Sequence, residues 1–326
     1  MSKTNLKLSA SRIKKFLDCS WSYYCSYILK LPQESNSGSI RGNCVHAIFE
    51  FLLKEKHKWH YDSIVQTGSI YGSPAVLRLA KYYLKRDGLT EFDNKGENNL
   101  KLTDEMILLG LKTDFFCEGK KLEMGELEIS IEDPAYRLVG YIDKIAKEED
   151  GRYLSYDYKS SSRIGDHSLQ ALTYALWVKR VLRADSVVRF LYLRFPDQVT
   201  SDYSFSDEQL DGFEEYLKSL YSYLENLTEE EAKKNMAWDK GFPKKEDGFS
   251  KRLLCGFGKY PKHKNKEGKE YWVCGAKFPM DYFVRLDKDG KIVESSKDPI
   301  DKKNETDIIE FRHYNGCPCH QNYEQH

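Results

Sequence analysis

Near residue 121 the spacing of apolar residues changes from helical to alternating, and that change limits the fold more than any other feature of the chain. Before it, "SASRIKKFLDCSWSYYCSYILK" (9–30) places Ile13, Phe16, Leu17, Tyr24, Tyr27 and Ile28 at helical intervals. "GNCVHAIFEFLLKEKHKW" (42–59) puts Val45, Ile48, Phe49 and Leu52 on one helical face. Further helices are expected at about 74–86 and in "TDEMILLGLKTDFFCEG". After it, "KLEMGELEISI", "YRLVGYIDKI" and "GRYLSYDYKS" alternate with period two and read as three strands. "SLQALTYALWVKRVL" reads as a helix, "SVVRFLYLRF" and "TSDYSFS" as strands, and "SDEQLDGFEEYLKSLYSYLENL" as a long helix. Helices followed by β-β-β-α-β-β-α predict an α/β chain in three parts: a helical part at 1–120, a core at 121–227 and an irregular extension of loops and short strands at 228–326.

The second and third strands carry charges where apolar residues are expected. Glu149-Asp150-Gly151 suits a three-residue hairpin loop, a type I turn closed by a left-handed glycine. That loop sets Asp143 opposite Asp157, and Lys159 shares a face with Asp157 because side chains alternate along a strand. A two-residue turn would shift the register by one and send the aspartates to opposite faces. A charged outward face is the ordinary reading of such a hairpin. Two helical patterns add to it. His46 lies on the apolar face of the second helix with Glu50 at i+4, and Gln170 and Tyr174 stand at i and i+4 on the helix after the hairpin.

In chain order these are Gly-x-x-x-His, Gly-x-x-Asp, Asp-x-Lys and Gln-x-x-x-Tyr. Over residues 6 to 195 the chain resembles the RecB-like branch of the PD-(D/E)XK nuclease superfamily, and its opening "LSASRIKKFLDCSWSYYCSYILKLP" strengthens the resemblance. The resemblance implies a restriction-endonuclease-like fold, with a mixed central β-sheet flanked by helices. It implies a DNA nuclease, an exonuclease acting on linear single- or double-stranded DNA in recombination, repair or phage DNA processing. Tyr141-Ile142 stands in place of the Pro that precedes the motif aspartate.

The chemistry can be argued from the residues themselves. Phosphodiester hydrolysis needs charge neutralised on the phosphoryl oxygens and a deprotonated water in line with the leaving oxygen. Asp143, Asp157 and the carbonyl of Tyr158 are hard oxygen donors suited to Mg²⁺ or Mn²⁺, and His46 adds a nitrogen that suits Mn²⁺ better. Lys159 would steady the water and the developing charge. Gln170 and Tyr174 would contact the strand or brace the site, with Glu50 and Glu128 behind it. Arg41, Arg163, Lys179 and Arg180 are candidates for phosphate contacts, and tyrosines of the first helix for stacking on unpaired bases.

No run approaches 18 consecutive apolar residues and the N-terminus has no apolar signal region, so a cytoplasmic protein without membrane contact is expected. Its eight cysteines are then expected to be reduced or metal-bound. The resemblance implies a 4Fe-4S cluster held by one cysteine of the first helix, matched by Cys19, and three near the C-terminus. Here the candidates are the widely spaced Cys255, Cys274, Cys317 and Cys319. A Zn²⁺ site on these residues or His320, and plain thiols, stay open beside it. Cys25, Cys44 and Cys117 read as core thiols.

Lys+Arg and Asp+Glu both total 51, so any nucleic-acid surface must be local. No phosphate-binding loop of an NTPase is present, so a helicase or recombination partner would be a separate protein. Two other functions compete: a catalytically silent DNA-binding module of the same fold, and a metal-stapled interaction protein.

Overall fold

The computed structural model describes residues 6–33, 37–92, 96–237, 255 and 274–319. In chain order its elements are α1 (Ala10–Asp18), α2 (Ser20–Tyr27), α3 (Ser37–Leu53), a 3₁₀ turn (Glu55–His57), α4 (Lys58–Thr67), α5 (Pro74–Arg86) and α6 (Asn99–Leu111). Five strands come next: β1 (Lys121–Met124), β2 (Leu127–Asp133), β3 (Tyr136–Ile142), β4 (Lys144–Lys147) and β5 (Tyr153–Lys159). Then come α7 (Ser168–Trp177), β6 (Ser186–Tyr192), β7 (Thr200–Tyr203), α8 (Asp207–Glu225), α9 (Glu229–Ala232), β8 (Met280–Leu286), β9 (Ile292–Ser296) and β10 (Ile308–Tyr314).

These elements form two units, one of residues 1–10 and 35–225, the other of residues 11–34 and 226–326. In the first, a mixed five-stranded sheet has the order β1-β4-β5-β6-β7. Only β5 and β6 are parallel, joined through α7; the other pairs are antiparallel. β2 and β3 form a separate hairpin, and Leu8 pairs with Leu138 at its edge. This is the mixed sheet flanked by helices expected of the fold class.

Side-chain alternation on the central strand β5 sorts its residues by function. Leu154, Tyr156 and Tyr158 face a core filled by α3 to α6, in which Ile48, Leu52, Ile64, Val76, Ala80 and Ile107 are fully buried. Phe49 of that core packs 4.4 Å from Tyr158, ring centre to ring centre. Full burial of a side chain of this size contributes about 2–3 kcal/mol. Asp157 and Lys159, on the opposite face of β5, are met by Gln170 and Tyr174 of α7.

The loop of the hairpin closes as expected. Gly151 N donates to Glu148 O at 3.0 Å, Glu148 N donates to Arg152 O at 2.8 Å, and Gly151 takes the left-handed φ of 89°. Lys144 pairs with Tyr156, which extends to Asp143 opposite Asp157.

Other elements divide where the sequence reads as continuous. Cys19 adopts an extended backbone and caps α2, accepting from Ser22 N at 3.4 Å, so the first helical segment is two helices. The apolar run before the hairpin splits at Gly125, with β1 in the five-stranded sheet and β2 in the hairpin. The next run splits at Asp143, between β3 and β4. Residues 58–67 form a helix of their own.

In the second unit, β10-β8-β9 form a three-stranded antiparallel sheet. Trp21 Nε1 donates to Tyr314 OH at 2.9 Å, and Ser20 Oγ donates to Ala232 O at 2.6 Å, tying α2 to the end of the chain. The segment 228–326, expected to hold loops and short strands, contributes this sheet. None of the helices of the described residues is long and apolar enough to cross a membrane.

Candidate active site

A cleft of about 540 Å³ in the first unit is lined by α3, the turn at Glu126, Tyr141, the end of β5 and α7. It gathers His46, Asp143, Asp157, Tyr158, Lys159, Gln170 and Tyr174, residues that span four sequence motifs.

Each motif has a local cause. Gly42 lets α3 come close to the end of β5, since a Cβ there would lie 2.6 Å from Ser160 Oγ. His46, one turn further along α3, therefore reaches the strand ends. Gly140 likewise makes room between Ile129 and Tyr174, at 3.3 Å and 3.5 Å from an added Cβ. Asp143 sits where the chain leaves β3 for β4, so its side chain is free of both ladders.

Two linked hydrogen-bond groups result. In the first, His46 Nδ1 lies 2.7 Å from Asp143 Oδ1, and His46 Nε2 lies 3.1 Å from the Tyr158 carbonyl. Tyr158 N donates to Asp143 Oδ2 at 2.6 Å. In the second, Lys159 Nζ lies 2.6 Å from both Asp157 Oδ2 and Gln170 Oε1. Gln170 Nε2 donates to Asp157 Oδ1 at 2.8 Å and to Tyr174 OH at 2.5 Å. Tyr174 OH also faces Asp157 Oδ1 at 2.8 Å and the Tyr141 carbonyl. Gln170 thereby fixes the lysine and the carboxylate relative to each other.

Electrostatically the site calls for positive charge. Burial would lower the His46 pKa, but the Asp143 carboxylate, its hydrogen bond, Asp157 and the Tyr158 carbonyl outweigh it and raise the value to about 9. Both ring nitrogens face acceptors, as an imidazolium requires. Burial pushes Asp143 above the usual carboxylate range, and the nearby Asp157 adds to this against the pull of His46. Two buried carboxylates, a backbone carbonyl and an imidazole are a donor set that fits a hard divalent cation. Among the described residues no three His, Cys, Asp or Glu side chains already surround a common point. His46 would exchange its bond to Asp143 for the ion.

Glu50 lines the cleft and accepts from Lys54 Nζ at 3.0 Å. Glu128 is exposed and turned to Tyr141, whose phenol pKa it raises; Glu126, on the far side of the Gly125 break, lines the cleft instead. The basic residues also separate. Arg41 is buried, donates to Asn99 Oδ1 at 2.5 Å and lies 3.7 Å from Glu97, so it has no open surface for a phosphate. Lys179 pairs with Asp207 at 2.6 Å, and Arg180 pairs with Asp211 at 3.1 Å and with Glu214, joining the π-helical segment Val178–Leu182 that follows α7 to α8. Arg163 is exposed in the loop after Lys159. In α2, Tyr23 is fully buried, Tyr24 stacks on Trp21, and Tyr27 carries Arg12 over its ring at 4.8 Å.

In the second unit, Cys19, Cys255, Cys274 and Cys317 lie close enough to act on one another. Burial raises Cys255 and Cys317 to about 12, and mutual repulsion among these sulfurs adds to it. Cys274 N donates to Cys255 O at 3.0 Å. Cys319 acts on Cys317 as well, and its thiol contacts Met236 Sδ at 3.5 Å. His320 lies outside the described residues. Cys25, Cys44 and Cys117 are buried core thiols.

A family model described as the PD-(D/E)XK nuclease superfamily matches residues 7–239. Two relatives, each named as a subunit of an ATP-dependent helicase/deoxyribonuclease, come from Streptococcus equi subsp. zooepidemicus strains MGCS10565 and H70. Each is 23% identical, over 228 and 224 residues. The alignments cover 64% and 63% of this chain but 20% and 19% of those proteins, so the chain spans about a fifth of their length. A crystal structure from Eubacterium rectale, described provisionally as an exonuclease, is 13% identical with a TM-score of 0.43. It covers 68% of this chain and 81% of its own.

Proposed function

The chain belongs to the PD-(D/E)XK nuclease superfamily, and on that footing we propose that it is a Mg²⁺- or Mn²⁺-dependent deoxyribonuclease that degrades DNA from its ends. The observation that carries this reading is the Asp143–Asp157–Lys159 constellation at the strand ends, with Gln170 bonded to both Lys159 and Asp157. Asp143, Asp157, the Tyr158 carbonyl and His46 would hold the ion. Bound there, it would neutralise the phosphoryl oxygens and ease deprotonation of the attacking water. The Lys159 ammonium would face the scissile phosphate and offset the charge that builds on it. Gln170 Oε1 and Asp157 Oδ2 hold Lys159 in place through two of the ammonium's three hydrogens, leaving the third to orient water. Tyr174 keeps the Asp157 carboxylate facing the cleft. Arg163 would meet a phosphate beyond the cut.

A separate helicase partner is supported by the names of the relatives, which join helicase and deoxyribonuclease functions; action from DNA ends rests on the motif resemblance of the sequence. The nearness of Cys19, Cys255, Cys274 and Cys317 supports a 4Fe-4S cluster or a Zn²⁺ ion that would staple α2 to the C-terminal sheet, and their sulfurs would have to draw together on it, since among the described residues no three already surround a common point.

Linear DNA labelled separately at each end, incubated with Mg²⁺, Mn²⁺ or EDTA beside Asp157→Ala, tests the reading. Metal-dependent release of short products, absent from the variant, is expected, and the labels give polarity. Cleavage that persists in Asp157→Ala rules the assignment out. Binding without cleavage in any metal would leave the silent DNA-binding module.

A further inference from the structure

We infer that residues 54–59 form a stacking platform that receives single-stranded DNA at the mouth of the cleft; the inference rests on the nuclease reading of that cleft. α3 is the link. Gly42, Asn43, His46 and Glu50 line the cleft along one face of it, at intervals of one to four residues. The same wall continues past the helix end. Lys54 Nζ donates to the cleft residue Glu50 at 3.0 Å, and Leu53 reaches within 3.5 Å of where Gly125 would carry a Cβ, next to the cleft residue Glu126.

Beyond the helix the chain turns basic and aromatic. "KEKHKWH" (54–60) holds three lysines against the single Glu55. Lys54, Lys56, Lys58 and Trp59 are all exposed, and Lys56 and Lys58 make no ion pair among the described residues. Trp59 is 61% exposed, unusually so for the largest apolar side chain. Its ring is held from behind, with its centre 3.5 Å from that of His60. His60 is itself buried and bonded to Ser73 Oγ at 2.7 Å. His57 lies flat on Phe51, 3.7 Å between centres and 19° between planes. The indole is therefore fixed in place and open to solvent, which lowers the entropy lost when a base stacks on it.

Cations alternating with an open, pre-oriented ring match a flexible strand whose phosphates and unpaired bases both need partners. A duplex keeps its bases stacked inside and could use only the lysines. The cleft itself carries Asp143, Asp157, Glu50 and Glu126 and attracts a strand poorly without help. The platform supplies that attraction beyond the end of α3, the helix that lines the cleft.

The test uses the full chain in EDTA, so that binding is read without cleavage. A fluorescein-labelled 12-mer of thymidylate is titrated by anisotropy against wild type, Trp59→Ala and Lys56→Gln/Lys58→Gln, at several salt concentrations. Trp59→Ala is expected to weaken binding about tenfold. The double lysine variant is expected to lower the salt slope by about 1.4. Oligomer should quench the tryptophan emission of wild type and not that of Trp59→Phe. Unchanged affinity and slope with unquenched emission overturn the inference, while Mg²⁺-dependent cleavage by the same preparations leaves the nuclease reading standing. Equal losses on a blunt duplex overturn the single-strand assignment. Binding through Trp59 without cleavage in any metal supports the platform and sinks the nuclease.

Discussion

The imidazole of His46 and the carboxylate of Asp143 meet at 2.7 Å across 97 positions of sequence, with the other ring nitrogen on the Tyr158 carbonyl. A protonated histidine thus stands among the donors that a divalent ion would use. His46→Ala is expected to weaken Mn²⁺ binding about tenfold and Mg²⁺ binding less, because the nitrogen ligand favours Mn²⁺. Calorimetric titration of both ions into wild type and variant checks this. Equal losses for both ions would show that His46 acts by holding Asp143 alone.

Gln170 bonds Lys159, Asp157 and Tyr174 at once. Gln170→Leu should lower kcat about 10- to 100-fold with little change in KM, since it loosens groups that act in the transition state. The urea midpoint should barely move. A variant that loses only substrate affinity would place Gln170 on the strand instead.

Gly110 on α6 faces Phe49, and an added Cβ would lie 2.3 Å from its Cζ and 3.1 Å from Leu193 Cδ2. Alanine favours a helix by up to about 1 kcal/mol over glycine. Overpacking a rigid aromatic core costs about 1–3 kcal/mol, so Gly110→Ala should be destabilising in net. Urea unfolding measures it. A stabilised variant would mean that the ring moves aside without strain.

Lys144 is fully buried on β4, donating to the carbonyls of Asp114 and Phe115 at 2.7 Å and 2.9 Å, with its ammonium 4.2 Å from the centre of the Tyr156 ring. Burial lowers its pKa from 10.5 to about 8, against the pull of Cys117 and Asp114. Between those values the unfolded chain holds the proton and the folded chain does not. Stability therefore gains with rising pH across this window, by roughly 3 kcal/mol if the whole shift is expressed. Below about pH 8 the full penalty for burying the charge is present. Cys117 and Tyr156, both raised by burial, act in the opposite direction once their unfolded forms ionise. The effect is thus read as the difference between wild type and Lys144→Met. That difference should shift in favour of wild type from pH 8 to 10.5; a constant difference would contradict it.

Cys317 acts together with Cys19, Cys255 and Cys274, whereas Cys319, two positions on, acts on Cys317 and contacts Met236. Elemental analysis of protein purified without oxygen should find iron or zinc in wild type and Cys319→Ser, and little in Cys317→Ser. Metal-free wild type would leave plain thiols.

Much of this site is legible in the sequence. The Glu149-Asp150-Gly151 loop depends on local turn chemistry, so the register that sets Asp143 opposite Asp157 is visible in the letters. The breaks at Cys19, Gly125 and Asp143 are not: helical spacing runs on through Cys19, alternation runs on through Gly125 and Asp143, and tertiary pairing decides where a strand changes sheets. The Gly125 break also explains why Glu126, not Glu128, reaches the cleft. Arg41 reads as a surface cation on a helix; its burial depends on Asn99, 58 positions away. The pairing of Lys179 and Arg180 does leave a trace, in the acidic stripe Asp207, Asp211 and Glu214 along α8.

The indole N–H of Trp21 on α2 waits for Tyr314, 293 residues later, before it finds a hydrogen-bond partner. At about 5–20 residues per second a ribosome needs roughly 15–60 s to deliver it. Through that interval the nascent chain carries Trp21, Tyr23 and Cys25 bare, while the 35–225 unit can already fold behind them. Synthesis order thus makes the aromatic N-terminal helices the segment most in need of a chaperone, and late stop codons the lesions that leave them exposed.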